Sequence, residues 1–275
     1  MSSSPNRDLL TDARSAPANG KAYGVLRMHV DPVDIDEAQA TIMRWCAAGG
    51  PRMVCAANVH MTMLAWDDAD FREIVNSADL VLPDGVPMVW SLRFLGAPVR
   101  RRVRVTLDLI DRLLASAAST GVPVGFYGGD PDSMPLIRGR LEGRFPGLDI
   151  RAMVVAPFHA PTPEEDAAAI EAIRASGARL LFIGVGCPKQ ERWMADHRES
   201  LDCVMMGVGA AFDVLAGRTR EAPPWTRDIG LEWTYRLALE PGRLSRRYLR
   251  QNPRFVYHFG RECLASVVGR RNGTR

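Results

Sequence analysis

The sequence predicts an α/β protein built on a doubly wound, mostly parallel sheet with a short helical, arginine-rich C-terminal appendage. Three observations carry this. Apolar runs without polar alternation recur, as in Leu180–Ile183 and Cys203–Met206, and such runs suit strands covered on both faces. Segments of helical period separate them from about residue 23 to 216, the alternation expected of a parallel sheet wrapped by helices. After Gly217 the alternation stops and arginines accumulate.

Taken in order, Tyr23–Val33 predicts a first strand and turn. Asp36–Ala48 carries Ala38, Ile42 and Trp45 at helical spacing and stops at Gly49-Gly50-Pro51. Met53–Ala57 is a strand ending at Asn58. Thr62–Asn76 reads as helix, Leu80–Leu82 as a strand closed by Pro83-Asp84-Gly85, and Val86–Leu95 as helix. Leu107–Ser119 is helix, Val122–Tyr127 strand, Pro135–Arg144 helix and Ile150–Val155 strand. Thr162, Pro163 and Glu165 form a capping-box signature for a helix reaching about Ser176. The strand Leu180–Ile183 then runs into Gly184-Val185-Gly186-Cys187-Pro188-Lys189-Gln190-Glu191 and an amphipathic helix, and Cys203–Met206 into Gly207-Val208-Gly209. Beyond these, Leu231–Leu239 and Leu244–Leu249 read as short helices split by Glu240-Pro241-Gly242. The expected division is a polar tail over 1–20, a Rossmann-like body over 21–216 and a basic appendage over 217–275.

Charge follows the same division. Gly217–Arg275 holds thirteen arginines against five acidic residues, a net of +8, on a chain whose total is +3. Its Trp233, Leu237, Tyr248, Phe255, Tyr257 and Phe259 interleave with arginine, a pattern that packs on a body, meets an anionic lipid surface, or does both. Five scattered cysteines without CxxC spacing suit a reducing compartment. No apolar run approaches the ~20 residues that span a bilayer, and the N-terminus has no signal-like apolar core.

Glycine turns at strand ends suggest a phosphate or nucleotide at the sheet edge. The dinucleotide fingerprint needs a third glycine, and Lys189 and Phe212 stand where it should be. GxxxxGK[ST], HExxH and GxSxG are absent, and His60, His159, His197 and His258 are dispersed. What remains is Asn58, Asp84, arginine, Lys189 and Gln190. Asp84 before Gly85 is either a turn aspartate or a general base at the cleft mouth. Val99-Arg100-Arg101-Arg102-Val103-Arg104 is either a solvated loop or the source of a guanidinium for a diphosphate. Lys189 is one of two lysines beside 33 arginines, which singles it out as a point charge for phosphate.

Several of these segments together resemble the WecG/TagA/CpsF glycosyltransferase family. They are Gly186-Cys187-Pro188-Lys189-Gln190-Glu191, Gly207–Asp213 with Gly217, Ala222-Pro223-x-Trp225, Leu231-Glu232-Trp233-x-x-Arg236-Leu237, Glu240-Pro241 and Arg246-Arg247-Tyr248, with Asn58 and Asp84-Gly85 upstream. The resemblance spans about residues 23–255. It implies an inverting, metal-independent hexosyl- or N-acetylhexosaminyltransferase without a cofactor. Such an enzyme moves a sugar from a UDP-sugar to a polyprenyl-diphosphate-linked saccharide in envelope or exopolysaccharide synthesis, at the inner face of the cell membrane. It implies Asp84 and Arg102 as catalytic residues, and Asn58, Gly186, Lys189, Gln190, Gly209, Arg236, Arg243 and Arg246 as binding residues, the last three from the appendage. Ala56, Val105, Leu107 and Glu221 depart from the family pattern. A homo-oligomer is compatible with all of this. The competing expectations are a non-catalytic nucleotide-sugar-binding protein and a nucleic-acid binder using the basic tail, and no recognition motif supports the latter.

Overall fold

The computed structural model describes residues 23–99, 102–219, 234–235, 237 and 241–272, without the side chains of 106, 107, 241, 243, 244, 246, 247 and 266–272. The described chain begins with a hairpin, β1 (Tyr23–Val25) and β2 (Met28–Val30), where one strand followed by a turn was expected. The position of this turn is not marked in the sequence, because Leu26 and Arg27 occupy it with φ of 50° and 67° where glycine or asparagine is usual. Leu26 is buried, and the Arg27 guanidinium lies 5.1 Å from the Trp66 ring centre. These contacts oppose the backbone cost.

Helix α1 (Ile35–Ala48) starts at a capping box formed by Asp34 and Glu37. Strand β3 (Arg52–Ala57) follows, then α2 (Val59–Asp67), α3 (Ala69–Asn76), β4 (Leu80–Pro83) and α4 (Val86–Phe94). The helix expected over Thr62–Asn76 is thus two helices. Asp68 breaks it by leaving the helical region (φ −123°) and accepting the Phe71 N–H at 2.9 Å as a new N-cap. A π-turn over Val105–Leu109 opens α5 (Ile110–Thr120), placing the family departure Val105 in an irregular turn. Next come β5 (Val124–Gly128), α6 (Ser133–Arg144), β6 (Ile150–Val154), α7 (Pro163–Ser176), β7 (Leu180–Gly184), α8 (Lys189–Asp196), β8 (Val204–Gly207) and α9 (Ala211–Leu215). The capping box predicted for α7 is present, with the Glu165 N–H donating to Thr162 Oγ1 at 3.2 Å.

Strands β3–β8 form one six-stranded sheet in the order β4-β3-β8-β7-β5-β6, with parallel pairing throughout. Alternate residues of each strand enter opposite cores. Met53 and Cys55 of β3 join Leu181, Ile183 and Met205 under α2, α3, α4 and α8. Val54 joins Phe126, Phe182, Val204 and Met206 under α1, α5, α6 and α9. This is the doubly wound α/β arrangement that the alternation predicted. The outer edge of β4 is closed by Asp31, whose N–H donates to Val81 O at 2.9 Å and whose Oδ2 accepts the Val81 N–H at 2.7 Å.

The second of the short helices expected after Glu240 is part of one 32-residue helix, α10 (Pro241–Asn272), which runs through Pro253. The Leu231–Leu239 expectation lies mostly outside the described residues. Phe255 of α10 is buried in the core beneath α2 and α4, the His258 ring lies tilted against Trp66 with centroids 4.6 Å apart, and Arg254 bonds both oxygens of Asp67 at 2.9 and 2.6 Å. The aromatic residues interleaved with arginine thus pack this helix on the body, one of the alternatives expected of the pattern. Among the described residues, no helix is long and apolar enough to cross a membrane.

Candidate active site

Because the strands are parallel, all their carboxyl ends lie on one edge, where ligands of open α/β sheets bind. The strand order then sets the neighbours along that edge. Asp84 follows β4, Asn58 follows β3, Gly209 closes the turn after β8, Gly186 the turn after β7, and Gly128-Gly129-Asp130 stands at the end of β5. Adjacent strands are about 4.8 Å apart, so residues scattered over much of the chain share one rim.

Asp84 is held at its backbone. Its N–H donates to Ala57 O and Leu82 O, both at 2.9 Å, and Ala57 is the register partner of Pro83. Asp84 and Asn58 therefore leave neighbouring strands at the same level. Gly85 then turns the chain with φ 118°, a conformation that L side chains rarely adopt. Asn58 caps α2 by accepting the Met61 N–H at 3.1 Å. The Val103 N–H donates to Pro83 O at 3.1 Å, which sets Arg102 beside the strand end that carries Asp84. Asp84, Asn58 and Arg102 are all half-buried. The structure thus brings these three to one corner.

The second half of the rim is the two glycine turns. Gly186 has φ 84° and Gly209 φ 56°. Lys189 is exposed at the first position of α8. Gln190 is not directed at solvent. It is 3% exposed, its Oε1 accepts the Gly209 N–H at 3.0 Å, and its Nε2 donates to Glu191 Oε1 at 2.7 Å. It ties the β7 turn to the β8 turn. Arg236, and the side chains of Arg243 and Arg246, lie outside the described residues.

Helices α2, α4 and α8 all begin at this rim. The first turns of α4 and α8 have no side-chain cap, so their backbone N–H groups and dipole ends favour an anion there. Among the described residues, no group of three or more His, Cys, Asp or Glu is disposed to hold a metal ion. A separate open groove of about 440 Å³ is lined by Leu26, Arg27, Trp66, His258, Arg261 and Glu262. Trp66 is at the opposite end of α2 from Asn58, so this groove is not part of the rim.

Sequence reasoning passed over two features. Asp130 stands at a strand end as Asp84 does, accepts the Ser133 N–H at 2.9 Å and takes Arg218 Nη1 at 2.6 Å. The Arg218 guanidinium holds its carboxyl below the usual carboxylate range, and the pair pins the chain after α9 to the end of β5. Glu191, read only as part of a motif, is fully buried behind the β7 turn. Its signal was the bare Gln-Glu pair, which does not reveal which side chain faces inward.

The sequence model of the glycosyl transferase WecG/TagA/CpsF family matches residues 23–268. The match takes in the whole rim as well as most of α10. The resemblance carried by the turn after β7, the turn after β8 and Asp84-Gly85 is thus a likeness over nearly the entire chain, and the protein belongs to the WecG/TagA/CpsF family of glycosyltransferases.

Proposed function

We propose that the protein transfers a hexosyl or N-acetylhexosaminyl group from a UDP-sugar to a polyprenyl-diphosphate-linked saccharide, with inversion and without a metal. The reading rests on one observation above the rest: the backbone bonds Asp84 N–H to Ala57 O and Val103 N–H to Pro83 O, 2.9 and 3.1 Å, gather Asp84, Asn58 and Arg102 at one corner of the strand-end rim. In the proposed step the acceptor hydroxyl oxygen bonds to the anomeric carbon while the bond from that carbon to the UDP oxygen breaks. Asp84 takes the hydroxyl proton, and UDP leaves with both electrons of the broken bond. Charge growing on the diphosphate is met by Arg102, by Lys189 and by the uncapped starts of α4 and α8. Arg236, Arg243 and Arg246 are proposed to complete this donor set from the segment after Gly217.

The test is an assay of the full chain with UDP-hexoses and UDP-N-acetylhexosamines in turn, each with a polyprenyl-diphosphate-linked acceptor, reading UDP release and acceptor elongation. Elongation with inverted anomeric configuration supports the reading. UDP binding without release or elongation for any donor sinks it and favours a non-catalytic nucleotide-sugar-binding protein.

A lipid-linked acceptor requires the protein at a membrane surface, and α10 supports peripheral attachment to anionic lipid at the inner membrane face. Leu249, Val256 and Leu264 are 76%, 69% and 68% exposed and fall at near-heptad spacing on one side of the helix, with Tyr257 beside them and exposed Arg250 and Arg261 at the flank. This apolar stripe with flanking arginine suits an interfacial helix. Replacing Leu249, Val256 and Leu264 together by serine is expected to weaken sedimentation with anionic vesicles about 100-fold, from roughly 1 kcal/mol of apolar burial each, with the melting temperature unchanged. Undiminished sedimentation would place the attachment elsewhere. Point changes are the cleaner test, because deleting the appendage also removes Phe255 from the core.

A further inference from the structure

We propose that Glu191 is a positioning residue of the transfer site: its carboxylate sets the direction of the Gln190 amide, and the amide holds the Gly207–Gly209 turn in place. The inference deepens the proposed function, since it rests on reading this rim as the donor site.

Glu191 is 0% exposed and makes no ion pair among the described residues. Burying a carboxylate is costly, and an aliphatic side chain would fill the same volume without that cost. The carboxylate is therefore kept for what it accepts. It accepts from Gln190 Nε2 at 2.7 Å, and the Cys187 thiol also hydrogen-bonds the carboxyl. Burial pushes its carboxyl above the usual carboxylate range, with the Gln190 bond opposing.

The two ends of a glutamine amide have almost the same shape, so neighbours decide which way it faces. Here Glu191 demands a donor and the Gly209 N–H demands an acceptor. Both are satisfied only with Nε2 towards Glu191 and Oε1 towards Gly209, the latter at 3.0 Å. Without the Glu191 acceptor, the Nε2 end loses its partner and the amide is free to turn away from Gly209. The fit leaves no slack on the sheet side either. A Cβ built on Gly207 would lie 2.6 Å from Gln190 Nε2 and 3.1 Å from its Cδ. Gln190 therefore rests on the β8 backbone itself, and the turn it holds lies on the rim between Asn58 and Gly186.

The experiment compares Glu191→Gln, Glu191→Leu and Gly207→Ala in the full chain. It measures UDP affinity by calorimetry, donor KM and kcat, and hydrogen exchange of the Gly209 amide. Glu191→Gln keeps an acceptor oxygen for Gln190 and is expected within about 3-fold of the parent in every measure. Glu191→Leu removes it and is expected to weaken UDP binding and raise donor KM about 10-fold, the scale of one lost hydrogen bond, with kcat within about 3-fold and Gly209 exchange accelerated about 10-fold. Gly207→Ala dislodges Gln190 without touching Glu191 and is expected to reproduce that pattern. Should the leucine variant fail to fold, Gly207→Ala and Gln190→Met, which removes the amide but keeps its length, carry the test. Parental UDP affinity and Gly209 protection in Glu191→Leu overturn the proposal, as does a glutamine variant as impaired as the leucine one. If the parent protein binds no UDP while the exchange pattern holds, the donor-site reading fails and the brace stands.

Discussion

Asp84→Asn is expected to lower kcat for sugar transfer by about 1,000-fold, within the range for removal of a positioned general base, while UDP affinity stays within about 2-fold. Asparagine matches aspartate in shape and keeps an acceptor oxygen, but it cannot take the acceptor's proton. The backbone that sets the position is untouched, because the Asp84 N–H bonds to Ala57 O and Leu82 O do not involve the side chain. The Asn58 cap on α2 and the Val103 bond to Pro83 are equally independent of it. A variant that binds UDP normally and transfers nothing separates chemistry from binding. Full transfer activity in this variant would remove Asp84 from the mechanism.

Gly128→Ala is expected to cost about 3 kcal/mol of stability and to lower the melting temperature by roughly 6–12 °C for a domain of this size. Gly128 ends β5 with φ 126°. A Cβ there would lie 2.7 Å from the carbonyl carbon of Gly184 and 2.8 Å from its oxygen. Both are backbone atoms of the neighbouring strand, which cannot swing aside as a flexible side chain could. Gly184 is itself confined, since its own Cβ would stand 2.7 Å from the Phe212 ring. Gly139→Ala is the control: that glycine is inside α6 with open space around its Cβ position, and alanine there is expected to be neutral or stabilising by up to about 1 kcal/mol. Equal melting temperatures for the Gly128 variant and the parent would show that the strand ends have room the structure denies them.

Much of the fold is legible in the sequence because burial on both faces leaves a one-dimensional trace. Leu180–Ile183 and Cys203–Met206 announce covered strands, and Thr162 with Glu165 announces a helix start. The misread elements are those where local chemistry competes with pattern. Asp68 splits a helix because a side chain supplies a cap in mid-run. Leu26-Arg27 makes a turn without turn residues because Leu26 is buried and Arg27 covers Trp66. α10 was expected to end at Leu249, but the helix runs on through Pro253 to Asn272 because Phe255 and His258 find packing partners on the body.

The site divides in the same way. By itself the sequence determined the residue types at the strand ends, the alternation that makes them ends of parallel strands, and the family likeness from residue 23 onward. Only the tertiary structure decided who stands beside whom. That β3 pairs with both β4 and β8 is a matter of long-range backbone hydrogen bonding, and no periodicity in the chain encodes strand order. From that order follow the shared corner of Asp84, Asn58 and Arg102 and the inward turn of Gln190 onto Gly209. The direction of the buried Gln190 amide depends on the Gly209 N–H, which only folding brings to 3.0 Å.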